Sequence, residues 1–336
     1  MTMLMFDFRE SERDFFNHND FPYFDITFIK EPLNEMSDLT QEQYDETDII
    51  SVFISSNICP EVLNRFKNLR VITTRSTGFN HIDIKYCSQN NIAVFNVEEY
   101  GQTSVAQYTF ALIMTLVRNI FPAYLDIQRN YINHVNYEGR NLENLTIGII
   151  GCGAIGSAVA KIANSFNMKI LINSITKQPE INHFVEYVQL EYLLKNSDIV
   201  TIHIPYTSDN YHMLGKKEFA MMKKNSYFIN TARGELIDIV ALYESLLSGK
   251  IKGAALDVLE CEYLALSPEN VADSIKNIST SCVASALITQ KLLGMPNVII
   301  TPHIAYNTQE SIDRLLSSTF NNIRDFHKGI KNNQVY

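Results

Sequence analysis

Leu145-Thr-Ile-Gly-Ile-Ile-Gly151-Cys152-Gly153-Ala154-Ile155-Gly156 is an apolar strand that runs into a Gly-x-Gly-x-x-Gly turn. A helix rich in Ala, Ile and Val follows. That strand–turn–helix context separates a dinucleotide site from an ordinary tight turn. Gly151 permits the turn, Gly153 lets backbone approach a pyrophosphate, and Gly156 lets helix and strand pack closely. The helix start at Ala154 and Ile155 adds free N–H groups and a positive dipole end for the diphosphate.

The same alternation continues on both sides of this turn. Downstream, strands are expected at Lys169–Asn173, Ile199–Ile204, Tyr227–Asn230, Ala254–Val258 and Val298–Thr301, with helices such as Ile155–Ser165 and Ile239–Leu247 between them. By count this is a six-stranded doubly wound sheet. Upstream, Met3–Phe8, Asp25–Ile29, Ile49–Ile54, Val71–Thr74 and Ile92–Val97 are Ile-, Val- and Phe-rich runs, separated by helical stretches such as Glu61–Lys67 and Asp83–Gln89. They form a βαβ series without a glycine-rich phosphate loop. Gln102–Ile120 reads as one long helix, apolar on nearly every face, which must be covered between domains or between subunits. Gln309–Lys328 reads as a helix returning to the first domain. Residues Tyr263–Gln290 are polar, Ser-rich and without clear period.

The expected fold class is therefore α/β, with two doubly wound, Rossmann-like domains of parallel strands. Residues 1–100 plus 302–336 form one domain, and the dinucleotide domain, 101–301, is inserted in it. Chain crossings near Gly101 and Thr301 make a hinge. A chain of 336 residues suits two cores. Its formal net charge of −9 speaks against nucleic-acid partners and anionic membranes. The longest apolar stretch, around Ala111–Val117, is far short of a membrane span. The early charges of the N-terminus do not fit a signal peptide. Five scattered cysteines lack a CxxC pair or Cys/His metal spacing, so reduced thiols, a cytoplasmic location and no metal are expected.

Beyond the glycine turn, the next strand ends Lys169-Ile-Leu-Ile-Asn173-Ser174-Ile175-Thr176-Lys177. An acid usually stands here to take the adenosine ribose hydroxyls and repel a 2′-phosphate. Ser174, Thr176 and Lys177 suit a phosphate better than a bare ribose. NAD(P)H is thus the expected cofactor, with NADPH favoured. The alternative is a loop that binds NADH without the acid, with Glu180 swinging in.

Arg233, Glu262 and His303 each follow a short apolar run, at the carboxyl ends of strands where ligands of open α/β sheets bind. Arg233 offers a planar fork for a substrate carboxylate and can polarise the adjacent ketone. His303 is the natural general acid/base, because reducing a keto group requires a proton on oxygen as hydride reaches carbon. Glu262 can hydrogen-bond His303, fix its tautomer and stabilise its charged form. His81 and His203 read as structural.

Arg75-Ser-Thr-Gly-Phe-Asn-His-Ile-Asp83, the glycine turn, Asn230-Thr-Ala-Arg-Gly234, Gly253-Ala-Ala-Leu-Asp-Val-Leu-Glu-Cys-Glu262 and Thr301-Pro-His-Ile-Ala-Tyr306 resemble the D-isomer-specific 2-hydroxyacid dehydrogenases, in the right order over nearly the whole chain. Thr74-Arg-Ser-Thr-Gly78, Leu194-Lys-Asn-Ser-Asp-Ile-Val200 and Met295-Pro-Asn-Val-Ile-Ile-Thr-Pro-His303 are closest to the D-lactate dehydrogenase branch, including the D-lactate-forming enzymes of vancomycin resistance. The resemblance implies catalytic roles for Arg233, Glu262 and His303. It selects Glu262 over Glu260, which reads as a solvated or packing carboxylate. It also implies that Asp257 contacts the nicotinamide carboxamide, that Thr231 and Ala232 line its ring, and that Ile204, Pro205 and Asn210 lie near the adenosine. Thr77 and Gly78 match the substrate-carboxylate clamp, Tyr100 a substrate-side tyrosine and Tyr306 an aromatic that closes the pocket. Two departures are Ser174 in place of the acid and Gln107 in place of a helix Glu. The stretch between Glu262 and His303 is also longer than in compact members. The implied activity is reversible reduction of a small 2-oxo acid, pyruvate foremost, by a homodimer built on the apolar helix. The alternatives are a glyoxylate/hydroxypyruvate reductase and, from another class, a nucleotide-sensing corepressor-like protein.

Overall fold

Short apolar runs in the first hundred residues become five strands in the computed structural model: β1 (Thr2–Met5), β2 (Asp25–Phe28), β3 (Ile49–Val52), β4 (Val71–Thr74) and β5 (Ala93–Phe95). The structure describes residues 1–18, 21–98, 100–131, 137–266, 280–330 and 332–335. The strands lie in the order β2-β1-β3-β4-β5, all parallel, which is the flavodoxin-like winding. Successive residues point to opposite faces. Leu4, Ile50, Ile72 and Val94 enter one core with Val62 and Cys87. Met3, Ile49, Val71 and Phe95 enter the other with Ile312, Leu316 and Phe320 of the helix Gln309–His327.

A second sheet holds β6 (Thr146–Ile150), β7 (Lys169–Asn173), β8 (Glu186–Tyr187), β9 (Ile199–Ile202), β10 (Ser226–Asn230), β11 (Ile251–Leu256) and β12 (Val298–Ile300). Its order is β12-β11-β10-β9-β6-β7-β8, with all pairs parallel. The sheet has seven strands rather than the expected six. The extra one, β8, is a two-residue edge strand paired through Leu171↔Glu186 and Ile172↔Tyr187, too short to leave a period in the sequence. The winding reverses at β6, which is flanked by β7 and β9, and this switch point is where an open α/β sheet takes its ligand.

The chain divides into two compact units, Met1–Gly101 with Asn307–Tyr336, and Gln102–Tyr306. The return to the first unit comes at Asn307 rather than Pro302, since the N–H groups of His303, Ile304 and Ala305 are bound to Asp257 of the second unit.

Three expectations need correction. The helix expected over Gln102–Ile120 stops at Val117. Asn119 adopts a left-handed φ of 51°, and a second helix, Ile120–Gln128, leaves at 64° to the first. Asn is one of the few residues that tolerates this conformation. The cover that the first helix needs comes from its own unit: Ala106, Phe110, Ile113 and Val117 pack with Ile147, Val159, Ala160, Ile229 and Ala255. No single helix among the described residues is long and apolar enough to cross a membrane. Second, the illegible stretch Tyr263–Gln290 contains most of one helix, Glu262–Leu266, and the start of another, Thr280–Leu293. Residues 267–279 lie outside the described residues. Third, the cysteines are not all free thiols. Cys261 and Cys282, 21 residues apart, form a disulfide with a Cα–Cα distance of 5.6 Å. Packing of Thr280–Leu293 against Glu262–Leu266 brings them together, and nothing in their spacing announces it. Cys59, Cys87 and Cys152 are free.

Candidate active site

The glycine turn sits at the carboxyl end of β6. Gly151 has a φ of 95°, and a Cβ on Gly156 would come within 2.1 Å of the Gly151 carbonyl oxygen, so both positions exclude a side chain. Gly153 differs, because a Cβ there would meet nothing within 4 Å. That open space lies at the start of the 12-residue helix Ala154–Ser165, which has no side-chain cap and no acid in its first turn. Uncapped N–H groups facing open space fit a diphosphate.

Arg233, Glu262 and His303 follow β10, β11 and β12, three adjacent strands of the same sheet. His303 is held in a left-handed φ of 52° by its N–H, which donates to the carbonyls of Asp257 and Thr301 at 2.9 and 3.0 Å. Its Nδ1 lies 3.1 Å from Glu262 Oε2. A carboxylate only accepts, so Nδ1 carries the proton and Nε2 is the nitrogen turned to chemistry. Glu262 Oε1 also accepts the Leu259 N–H at 3.1 Å, which fixes the carboxylate from both sides. The two side chains are 25% and 30% exposed, open enough for a small substrate to reach. Arg233 is half-buried and donates from Nη1 to the Ala232 carbonyl at 2.7 Å. No carboxylate among the described residues forms an ion pair with it, so its fork suits an incoming anion.

Residues 110–305 match the sequence model of the family described as D-isomer specific 2-hydroxyacid dehydrogenase, NAD binding domain. An aromatic 2-oxoacid reductase of Clostridium sporogenes is 36% identical over 291 residues, 85% of each chain. A D-specific alpha-keto acid dehydrogenase of Enterococcus faecium is 36% identical over 281 residues, 83% of each. Among solved structures, D-lactate dehydrogenase from Aquifex aeolicus, complexed with NAD and lactic acid, superposes with a TM-score of 0.82 at 32% identity, covering 99% of this chain and 98% of that one.

The chain belongs to the D-isomer specific 2-hydroxyacid dehydrogenase family. It is a nicotinamide-dependent oxidoreductase acting on the CH–OH group of 2-hydroxy acids.

In this family member Asp257 is 1% exposed and works as the anchor of the His303 loop. Its carboxylate accepts from the Thr301 hydroxyl at 2.6 Å and from the N–H groups of Ile304 and Ala305 at 3.0 and 2.8 Å. Burial pushes its pKa up, partly offset by the Thr301 hydroxyl and those two N–H groups. A carboxamide contact would have to share a carboxylate already carrying three donors. Thr231 is buried, with its hydroxyl 3.1 Å from that of Thr109. The N–H of Ala232 donates to Asn230 Oδ1 at 2.9 Å. Tyr306 is 8% exposed and meets His303 edge-on, with ring centroids 6.4 Å apart, so it packs against the imidazole.

On the adenosine side, Ile204 packs against Gly151. The Asn210 amide donates to the Pro205 carbonyl at 2.8 Å and its oxygen accepts the Thr207 N–H, closing its own loop. Ser174 and Lys177 line a cavity of about 740 Å³ with Tyr187, Glu186 and Gln189, whereas Thr176 is exposed and does not line it. Ser174 Oγ accepts the Cys152 N–H at 3.2 Å, and Lys177 Nζ sits 5.3 Å above the Tyr187 ring. Glu180 is exposed and pairs with Lys161 at 2.8 Å, because the two side chains share the outer surface.

Thr77, Gly78 and Tyr100 belong to the first unit. Thr77 and Gly78 form the turn after β4, where the Thr77 hydroxyl donates to the Val97 carbonyl at 2.9 Å and the Gly78 carbonyl accepts from Ser76 at 2.6 Å. The Tyr100 carbonyl accepts from Arg314 at 3.5 Å. His81 and His203 are largely buried and bonded to threonine hydroxyls, and burial pushes their pKa values down to about 4 and about 3.

Sequence reasoning passed over several supporting residues. Glu260, read as a solvated or packing carboxylate, is the latter: 11% exposed, it accepts from Tyr211 at 2.9 Å and from Ser285 at 3.2 Å, and lies 3.2 Å from His212 Nε2. Burial, together with Glu260, pushes the Tyr211 hydroxyl up to about 12. Asn230 braces the Arg233 turn by donating to the Arg233 carbonyl at 2.8 Å. A Cβ on Gly234 would fall 2.0 Å from the Leu259 backbone, so this glycine lets the Arg233 turn lie against the loop that leads to Glu262. The Arg-Gly pair was the available signal.

Proposed function

We propose that the enzyme reduces pyruvate reversibly to D-lactate, with Thr77, Gly78 and Tyr100 as substrate-side contacts. The observation that carries the reading is the Glu262–His303 contact of 3.1 Å beyond β11 and β12, with Arg233 beyond the neighbouring β10. Arg233 grips the substrate carboxylate and draws electron density from the ketone. His303 Nε2 delivers the proton to the keto oxygen while Glu262 holds Nδ1. A bound nicotinamide supplies the hydride. The Aquifex neighbour is a lactate enzyme, which supports pyruvate, whereas the Clostridium relative's name favours aromatic 2-oxo acids as the second reading. Initial rates with pyruvate, phenylpyruvate, glyoxylate and hydroxypyruvate decide. A kcat/KM highest for pyruvate supports the reading, and one highest for another acid replaces it.

NADPH is accepted at Ser174. No acid stands at the end of β7, Glu180 is committed to Lys161, and Glu186, the carboxylate of the cavity, pairs with Lys169 at 3.6 Å. Ser174→Asp is expected to raise KM for NADPH about tenfold to a hundredfold and leave that for NADH equal or lower, since like charges face to face cost several kcal/mol. Equal KM changes for the two cofactors would refute the phosphate site.

The enzyme is cytoplasmic and dimeric. The dimer contact moves from the buried helix Gln102–Val117 to the next one, where Ile120, Phe121, Tyr124 and Ile127 are 51%, 41%, 57% and 58% exposed along one stripe. Light scattering should give twice the 38.4 kDa chain mass, falling to one chain in the double variant Phe121→Lys, Ile127→Lys.

A further inference from the structure

Three ties fasten the helix Thr280–Leu293 to the stretch that carries Glu262. Cys282 is bonded to Cys261, Ser285 Oγ donates to Glu260 at 3.2 Å, and Gln290 Nε2 donates to the Ala265 carbonyl at 2.7 Å. Cys261 is the residue before Glu262. It holds a left-handed φ of 55°, and its carbonyl accepts the N–H groups of Leu264 and Ala265 at 3.0 and 3.1 Å, so it starts the five-residue helix that Glu262 opens. Cysteine has no intrinsic preference for this backbone region. Such a conformation persists where the surroundings over-determine it. The helix Thr280–Leu293 is itself anchored, through Ala286 and Leu292, in the main core of the second unit.

We propose that the Cys261–Cys282 disulfide is a reversible, rate-controlling positioning device for Glu262, an inference that rests on the catalytic reading of Glu262 given above. In a cytoplasmic enzyme, as proposed above, a disulfide is chiefly transient and redox-sensing. A dithiol reductant attacks one of the two sulfurs to form a mixed disulfide, and its second thiolate then displaces the cysteine. In sum, the protein disulfide gains two electrons and two protons to become two thiols, and the dithiol is oxidised to its own disulfide. Released from Cys282, Cys261 relaxes out of the left-handed region, the short helix loses its start, and the Glu262 carboxylate leaves His303 Nδ1. Oxidised glutathione reverses the change by the same exchange. Both cysteines are half-buried, so the bond is open to a small reductant.

The test uses the full chain purified without reductant. Thiol titration in denaturant is expected to count three free cysteines of five, and all five after dithiothreitol. Reduction is expected to lower kcat on the best of the four 2-oxo acids by at least about tenfold, the lower end of what loss of an oriented general acid costs. The Kd of reduced cofactor, read by its fluorescence, should stay within about twofold, and oxidised glutathione should restore kcat. Cys282→Ser should start in the slow state and ignore dithiothreitol, whereas Cys59→Ser should respond as wild type does. Five free thiols at the outset, or equal kcat in the oxidised and reduced wild type, would overturn the proposal. Glu262→Gln separates the two readings. If it is slow while reduction leaves the wild type unchanged, the switch alone fails. If it is as fast as wild type, the catalytic reading of Glu262 fails first.

Discussion

His303→Asn is expected to lower kcat for 2-oxo acid reduction by about 10²–10⁴-fold, the usual contribution of a positioned general acid, while the Kd for reduced cofactor stays within about twofold. Asparagine is the informative replacement because His303 sits at a φ of 52°, where Asn is among the best tolerated side chains and Ala is not. The backbone ties of residue 303 to Asp257 and Thr301 involve only its N–H and survive the change. The loss therefore reports the missing proton donor rather than a collapsed loop. Glu262→Gln should fall in the same direction by less, since the amide still reaches Nδ1 but can present a donor to it and no longer favours the charged ring. A His303→Asn enzyme that keeps most of its rate would place the proton donor elsewhere.

Arg233→Lys is expected to cut kcat/KM for the 2-oxo acid by about 30-fold to several thousandfold, the equivalent of about 2–5 kcal/mol for one broken charged contact. The charge is retained, so the general field of the site is unchanged. What is lost is the planar fork that meets a carboxylate with two parallel N–H groups. Among the described residues Arg233 spends only Nη1, on the neighbouring Ala232 carbonyl, which leaves Nε and Nη2 for a carboxylate, and Asn230 braces its turn. Steady-state kinetics on the variant should put the effect on the 2-oxo acid and leave KM for the cofactor unchanged. A variant with wild-type kcat/KM would remove Arg233 from the substrate site.

Much of this architecture was written locally. The strand Thr146–Ile150, its glycine turn and the helix after it were legible because a buried parallel strand is an unbroken apolar run and because the turn excludes side chains at Gly151 and Gly156. Arg233 and His303 stood out as polar residues soon after such runs, whereas Glu262 was singled out from Glu260 by the resemblance alone. What stayed hidden depends on contacts between distant segments. The edge strand Glu186–Tyr187 has two residues and no period. The break at Asn119 turns on one left-handed residue inside an apolar stretch. Cys261 and Cys282 meet only once two helices have packed. The tie at Glu260 joins donors from Tyr211 and Ser285, far apart in the chain. The local bond from the Asn210 amide to the Pro205 carbonyl is likewise visible only in the folded backbone.

Hydride addition at C2 of any of the tested 2-oxo acids except glyoxylate, whose product is achiral, creates a stereocentre. With Arg233 holding the carboxylate and His303 protonating the keto oxygen, one face of the carbonyl is presented. Chiral chromatography of the 2-hydroxy acid formed by the wild-type enzyme from pyruvate, or from the better of the 2-oxo acids, measures that directly. The D-isomer alone is predicted. An L or racemic product would contradict the assignment of these residues to a D-specific site.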